Sequence, residues 1–164
     1  MIRLRKIEPQ DLPFLYQWEN DAASWSEGST HNPLSQKDLR DYIASSTGDI
    51  YRDGQLRLII ETENKACVGC ADLFDLDPRN RRAAIGLYIE PANRGKGIAG
   101  EALEEMEKYA FEFLQLRVIY AVIGMHNKAC SELFRSHNYL PSSPLKNWTL
   151  EGDAIVWTKV KSER

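Results

Sequence analysis

The chain reads as a single mixed α/β domain, residues 1–164, in which a mostly antiparallel central sheet is flanked by helices. Three observations predict this. Residues 84–89 and 118–123 are short apolar runs separated by an amphipathic segment, a strand–helix–strand crossover that makes one pair of strands parallel. Residues 57–61 and 68–74, around Glu63-Asn64-Lys65, carry the signal of an antiparallel hairpin, as do residues 148–150 and 155–160 around Glu151-Gly152-Asp153. With 164 residues, 43% hydrophobic and 27% charged, the chain suffices for one buried core and shows no linker or repeat.

Taken in order, residues 2–5 alternate and predict a strand. Pro9 and Asp11 open a helix to about Asn20, with Leu12, Leu15, Tyr16 and Glu19 along one face. Residues 20–33, rich in Asn, Ser, Gly and Asp, read as a loop anchored by Trp18 and Trp25. Ser35 and Asp38 form a capping box for a second helix carrying Leu39, Tyr42 and Ile43, ended by residues 47–49. After the first hairpin, residues 75–80 form a loop into the central strand, where Pro91 stops pairing. The helix opened by Ile98 places Ala102, Leu103, Met106, Tyr109, Ala110, Phe113 and Leu114 on one face; Glu101, Glu104, Glu105, Lys108 and Glu112 take the other. Past residues 118–123, His126-Asn127-Lys128 opens a short helix with Cys130, Leu133 and Phe134, and Asn138 is a left-handed stop.

A net charge of −3 argues against nucleic acid and against an acidic membrane surface as partners. Cys67 and Cys70 have C-x-x-C spacing, but no second Cys/His pair completes four metal ligands. Residues three apart on a strand face opposite sides, so the two thiols should diverge as structural cysteines. The three histidines show no ligand spacing, and no metal is expected. With no signal-peptide core and no apolar run near the ~20 residues of a membrane span, a cytoplasmic protein with reduced thiols is expected.

The densest signal is the turn after the central strand, Arg94-Gly95-Lys96-Gly97-Ile98-Ala99. Gly95 and Gly97 remove the Cβ atoms that would keep a ligand from the backbone. The unpaired amides of the first helical turn then face outward at the positive end of the helix dipole, an anion site suited to pyrophosphate. The spacing is neither that of the P-loop nor that of the dinucleotide fingerprint. Arg-x-x-Gly-x-Ala, a few residues past a strand ending in Ile-x-Pro, resembles the acetyl-coenzyme A signature of the GNAT N-acetyltransferase family. The element order resembles that family's fold along essentially the whole chain. Its closest branch looks like the ribosomal-protein N-terminal and spermidine acetyltransferases, through Arg3-Leu4-Arg5, residues 72–75, Arg81-Arg82 and Asn127-x-x-x-Ser131-x-x-Phe134.

The resemblance implies the acyl-CoA N-acyltransferase fold, with acetyl-CoA as co-substrate along Leu87, Ile89, residues 94–99, Asn127 and Phe134. Acetyl transfer to an amine needs the amine deprotonated, donors for an oxyanion and a proton for the departing thiolate. The resemblance makes the Ile89 amide the oxyanion donor and implies that the central strand splays from its neighbour at a bulge near Gly86, a position that a simple packing glycine would fill equally. Asn127 is also an ideal helix N-cap, and both roles are compatible. Ser131 stands where some relatives protonate the thiolate, though an idle helical serine would look the same. Two positions depart from the pattern: Phe134 replaces a tyrosine acid, and Ala84 stands where several relatives place a glutamate. Tyr88 and Tyr139 read as core aromatics. Asp72, a charge in an apolar strand, is the candidate base or ammonium anchor, against a salt bridge to Arg81 or Arg82. Trp25, Glu27 and Asp75 are the candidate acceptor contacts, Trp25 through a cation–π face. Three functions remain open: acetylation of a small polyamine- or aminoglycoside-like amine, acetylation of a protein N-terminus or lysine, and a coenzyme A sensor without catalysis. The resemblance also allows a homodimer.

Overall fold

The computed structural model describes residues 1–22 and 32–163. Among them, eight strands form one sheet in the order β1-β2-β3-β4-β5-β8-β6, with β7 also paired to β8. The strands are β1 (Ile2–Lys6), β2 (Leu56–Thr62), β3 (Cys67–Asp77), β4 (Arg82–Ile89), β5 (Val118–Gly124), β6 (Leu140–Pro141), β7 (Leu145–Thr149) and β8 (Gly152–Val160). Only β4 and β5 run parallel, joined by the helix α4 (Ile98–Lys108); every other pairing is antiparallel. The sheet is therefore mixed, as the single crossover requires.

Alternation along the strands divides the core in two. On one face α4, α5 (Lys128–Ser136) and the short α3 (Ile50–Asp53) cover Leu73, Ile85, Ile89, Ile119 and Trp157. On the other, α1 (Leu12–Glu19) and α2 (Gln36–Ser45) bury Leu15, Trp18 and Leu39 against Ile59 and Cys70. The capping box of α2 forms as its spacing predicts, with Ser35 accepting from the Asp38 amide at 3.0 Å.

Several local expectations are corrected. The α1 helix buries Leu15 and Trp18, while Tyr16 is 41% exposed, so Trp18 is a helical core residue and not a loop anchor. Asp49 does not merely end α2: its side chain accepts from the Tyr51 amide and starts α3. The β3 strand continues through Asp77, so the loop into β4, expected over residues 75–80, is only residues 78–81. The α4 helix widens into a π turn at Tyr109–Phe113, which rotates Phe113 out of the predicted buried face; it is 74% exposed and stacks on Tyr109.

A bulge in β3 has the largest consequence. The β2/β3 register shifts between Ile60 and Glu61, which leaves Val68 as the extra residue. Alternation is broken there: Val68 joins the α4-side core with Ala71 and Leu73, while Cys67 and Cys70 both border the α1/α2 cluster. The thiols thus share a face and do not diverge as simple alternation predicts. Gly69 completes the bulge, because a Cβ there would lie 2.0 Å from the Tyr88 carbonyl oxygen.

Candidate active site

The central strand β4 is paired on both sides only over its first half. Its parallel ladder with β5 runs from Arg82/Val118 to Ala84/Tyr120 and stops. Its antiparallel ladder with β3 continues to Gly69/Ile89 without a shift at Gly86, so no bulge occurs there. Gly86 faces the Phe74 ring, 3.4 Å from where a Cβ would stand, and serves as a packing glycine. The Glu90 amide donates to the Val68 carbonyl at 2.8 Å, which fixes the sense of alternation along β4. Leu87 and Ile89 consequently turn their amides away from β3, toward the side on which the β5 ladder has ended. The Ile89 carbonyl receives Arg94 Nε at 2.9 Å, which holds the strand end.

Beyond a 3-10 turn at Pro91–Asn93, Gly95 and Gly97 adopt φ of 76° and 79°, left-handed values that suit glycine. No atom lies within 4 Å of a Cβ built on either. Gly97 is the N-cap of α4 and supplies no side-chain acceptor, so the first-turn amides open onto this bare backbone. Among the described residues, Lys96 Nζ reaches Asn93 Oδ1, at 3.4 Å. This is a cradle that a side chain would fill, and an anionic group fits it.

On the β5 side, Asn127 Oδ1 caps α5 by accepting from the Cys130 amide at 3.1 Å, so its N-cap role is realised. Ser131 lies one turn on, half-buried, with no described partner for its hydroxyl. Phe134 is 2% exposed and packs edge-on to Tyr139, with ring centroids 4.8 Å apart. Burial, reinforced by the Glu107 carboxylate, pushes the Tyr139 phenol far above its usual range, so it holds its proton.

The α1/α2 face carries the charges. Asp72 is not paired with Arg81 or Arg82: both its oxygens accept from Arg57, at 2.8 and 2.7 Å, and Arg57 also binds Glu19. Arg81 instead caps the Gln115 carbonyl, and Arg82 reaches Asp77 at 3.2 Å. Burial opposes the Arg57 charge, but Asp72, Cys70 and Glu19 outweigh it and hold the guanidinium well above its ordinary range. Burial also pushes the neighbouring Cys70 thiol up to about 12. Asp75 is exposed at a left-handed φ of 49°, beside the register shift of β3 against β4. Trp25 and Glu27 lie outside the described residues.

Sequence reasoning missed the group around Tyr88. Arg94 lies over its ring, 5.7 Å from the centroid, and Trp18 packs against it at 5.8 Å. Its hydroxyl reaches Asp21 Oδ2 at 3.3 Å, and Trp18 Nε1 donates to Glu90 Oε1 at 2.9 Å. Arg57 was missed because its partner is set by register, Arg57 lying directly opposite Asp72. Neither pairing leaves a spacing signal.

Comparison with known proteins places this geometry. Residues 2–137 match the family model described as an acetyltransferase (GNAT) domain. The spermidine N(1)-acetyltransferase of Escherichia coli K12 is 26% identical over 137 residues, covering 82% of this chain and 70% of that protein. A putative ribosomal N-acetyltransferase of Bacillus subtilis is 30% identical over 130 residues, 75% of this chain and 70% of the relative. The fold matches the crystal structure of a Vibrio cholerae spermidine N-acetyltransferase in complex with CoA and spermine, with a TM-score of 0.87 at 21% identity over 98% of this chain and 95% of that one.

Proposed function

The chain belongs to the GNAT acetyltransferase family, and from that premise we propose that it transfers the acetyl group of acetyl-CoA to a primary amine of a small polyamine-like molecule. The observation that carries the reading is the parting of β4 from β5 directly beside the bare Gly95/Gly97 cradle. The names of the spermidine-acetylating relatives support the acceptor class.

When bound, acetyl-CoA supplies an activated thioester. The α4 amides and the Gly95/Gly97 backbone would hold its pyrophosphate, the Leu87 amide would pair with its pantetheine arm, and the Ile89 amide, beside the Arg94 contact, would donate to the thioester oxygen. The Ser131 hydroxyl is the proton donor on the leaving side, because Phe134 has no proton to give and Tyr139 holds its own. Asp72 is bound at both oxygens by Arg57, so its part is to fix the α1 end through the shared guanidinium. The amine loses its proton to water, and direct attack follows from holding both substrates in one groove.

A thiol-release assay with a panel of amines tests this. Turnover with spermidine or spermine, and little with an aminoglycoside or an N-terminal peptide, is the expected result. Turnover with the peptide alone would move the chain to a protein acceptor. Coenzyme A binding without turnover on any amine would make it a sensor.

A further inference from the structure

We propose that His126 takes up the proton shed by the amine, through the water that first receives it, and passes it to solvent. The assignment rests on the amine-acetyltransferase reading and deepens it.

Two protons have to be placed. The amine arrives as an ammonium and ends as an amide N–H, so two N–H bonds break while the N–C bond forms and the C–S bond opens. One proton goes with the leaving sulfur, on the side of Ser131. The other has to reach solvent, and a side chain that can accept it and give it up again speeds that step. An imidazole does both.

Strand geometry puts His126 beside the gap. Ile119, Ala121 and Ile123 of β5 pack toward α4 and α5, so Tyr120, Val122 and Gly124 face the other way. A Cβ built on Gly124 would lie 2.4 Å from His126 Cε1 and 2.6 Å from its Nδ1. The imidazole therefore occupies the place of a side chain at 124, on the face away from α4 and α5. Counted on from the last parallel pair, Ala84 and Tyr120, Gly124 is level with Tyr88, one residue before the Ile89 amide. His126 thus stands across the gap from the oxyanion donor. Ser131 belongs to α5, on the opposite face, so the group that gives a proton and the group that takes one are kept apart.

The backbone holds this position. The Asn127 amide donates to the Gly124 carbonyl at 2.9 Å, a turn that folds His126 back over β5, and the Met125 amide donates to the Asp153 carbonyl at 2.9 Å. Gly124 itself still pairs with Ala154 on β8. His126 is exposed, and no described residue forms a hydrogen bond or ion pair with its ring. Other groups that could take the proton are engaged. His137 is held between the Leu133 carbonyl, at 2.9 Å, and Glu104, at 3.3 Å. Asp72 faces Arg57 through both oxygens. Burial, with Asp75 beside it, raises the Tyr120 phenol, which keeps its proton.

The test is steady-state kinetics of thiol release with spermidine and acetyl-CoA. His126→Gln keeps a polar side chain and removes the base. Its kcat should fall about 100-fold, while the acetyl-CoA KM and the Tm rise given by coenzyme A stay as in the wild type. His126→Ala should fall as far and recover part of its rate when free imidazole is added. Gly124→Ala keeps the imidazole but displaces it, and should cost roughly tenfold in kcat. A His126→Gln enzyme with kcat within twofold of wild type would overturn the assignment and leave the proton with water. A fallen kcat joined to a lost Tm rise would overturn it too, since His126 would then serve the fold. A wild type that acetylates no amine would remove the amine reading, and the assignment with it.

Discussion

Phe134 concentrates the chemistry at the scale of a residue. It stands where the family resemblance leads one to look for a proton donor, yet it is a 2% exposed ring packed against Tyr139. Its contribution is shape. Phe134→Tyr is expected to leave kcat unchanged or raise it, since a hydroxyl there adds a second donor beside Ser131. Ser131→Ala should lower kcat roughly 10- to 100-fold with the acetyl-CoA KM unchanged, as loss of a general acid does. Kinetics of the two variants in the thiol-release assay check this, and a Ser131→Ala enzyme with wild-type kcat would hand the proton to solvent. Both positions were visible in the sequence. The sequence could not say that Asp72 is spoken for, because Arg57 meets it only through the β2/β3 register.

At the scale of elements, the α4 N-terminus and the frayed half of β4 act together. Gly97 is a left-handed N-cap with open space where a side chain would go, so a Cβ is disfavoured by conformation and not by the protein's own packing. Coenzyme A at about 100 times its Kd should stabilise the wild type by about 2.7 kcal/mol, a Tm rise of roughly 5 to 10 °C for a domain of this size. Gly97→Val should abolish that rise. Differential scanning fluorimetry with and without coenzyme A measures it, and a mutant that keeps the shift would remove the pyrophosphate from this loop. The glycine spacing announced the cradle in advance. The gap between β4 and β5 was expected from the family resemblance alone, because an apolar strand reads the same whether its second neighbour continues or stops.

At the scale of the molecule, the ion pairs lock the first strand and the turn that follows it to the sheet. Arg5 binds both oxygens of Asp11 at 2.8 Å and Glu61 at 2.6 Å, while Arg3 also reaches Glu61. Burial raises the Asp11 carboxyl, but Arg5 and the Glu8 amide more than reverse this and hold it below its usual range. Arg5 and Arg3 hold Glu61 below its range as well. Both carboxyls bind protons more weakly in the folded state than in the unfolded one. Their stabilisation is therefore complete above the ordinary carboxylate range, near pH 4, and lost as pH falls below it. Arg5→Met should cost roughly 2 to 4 kcal/mol at pH 7, because Asp11 is left buried without its partner. The difference from wild type should shrink as pH falls below about 4, because the unpartnered Asp11 of the variant is discharged there while the wild-type pair loses its stabilisation. Urea unfolding across that range checks it, and a pH-independent difference would show that Arg5 acts by packing alone.

Apart from the short α3 and β6, the sequence by itself determined the element order, the single parallel crossover and the glycine turn that opens α4. Each is a local matter: hydrophobic period, turn chemistry and glycine at positive φ are written within a few residues of one another. The capping roles of Ser35 and Asn127 were equally local and formed as their spacing predicts. Tertiary structure alone decided which charges meet. One extra residue at Val68 breaks the alternation of β3 and brings Cys67 and Cys70 onto one face. Register puts Arg57 opposite Asp72, and the crossing of α1 over β4 brings Asp21 to Tyr88. Those pairings join residues 15 to 67 positions apart, and their partners are chosen by strand register and helix placement, which depend on the packing of the whole sheet.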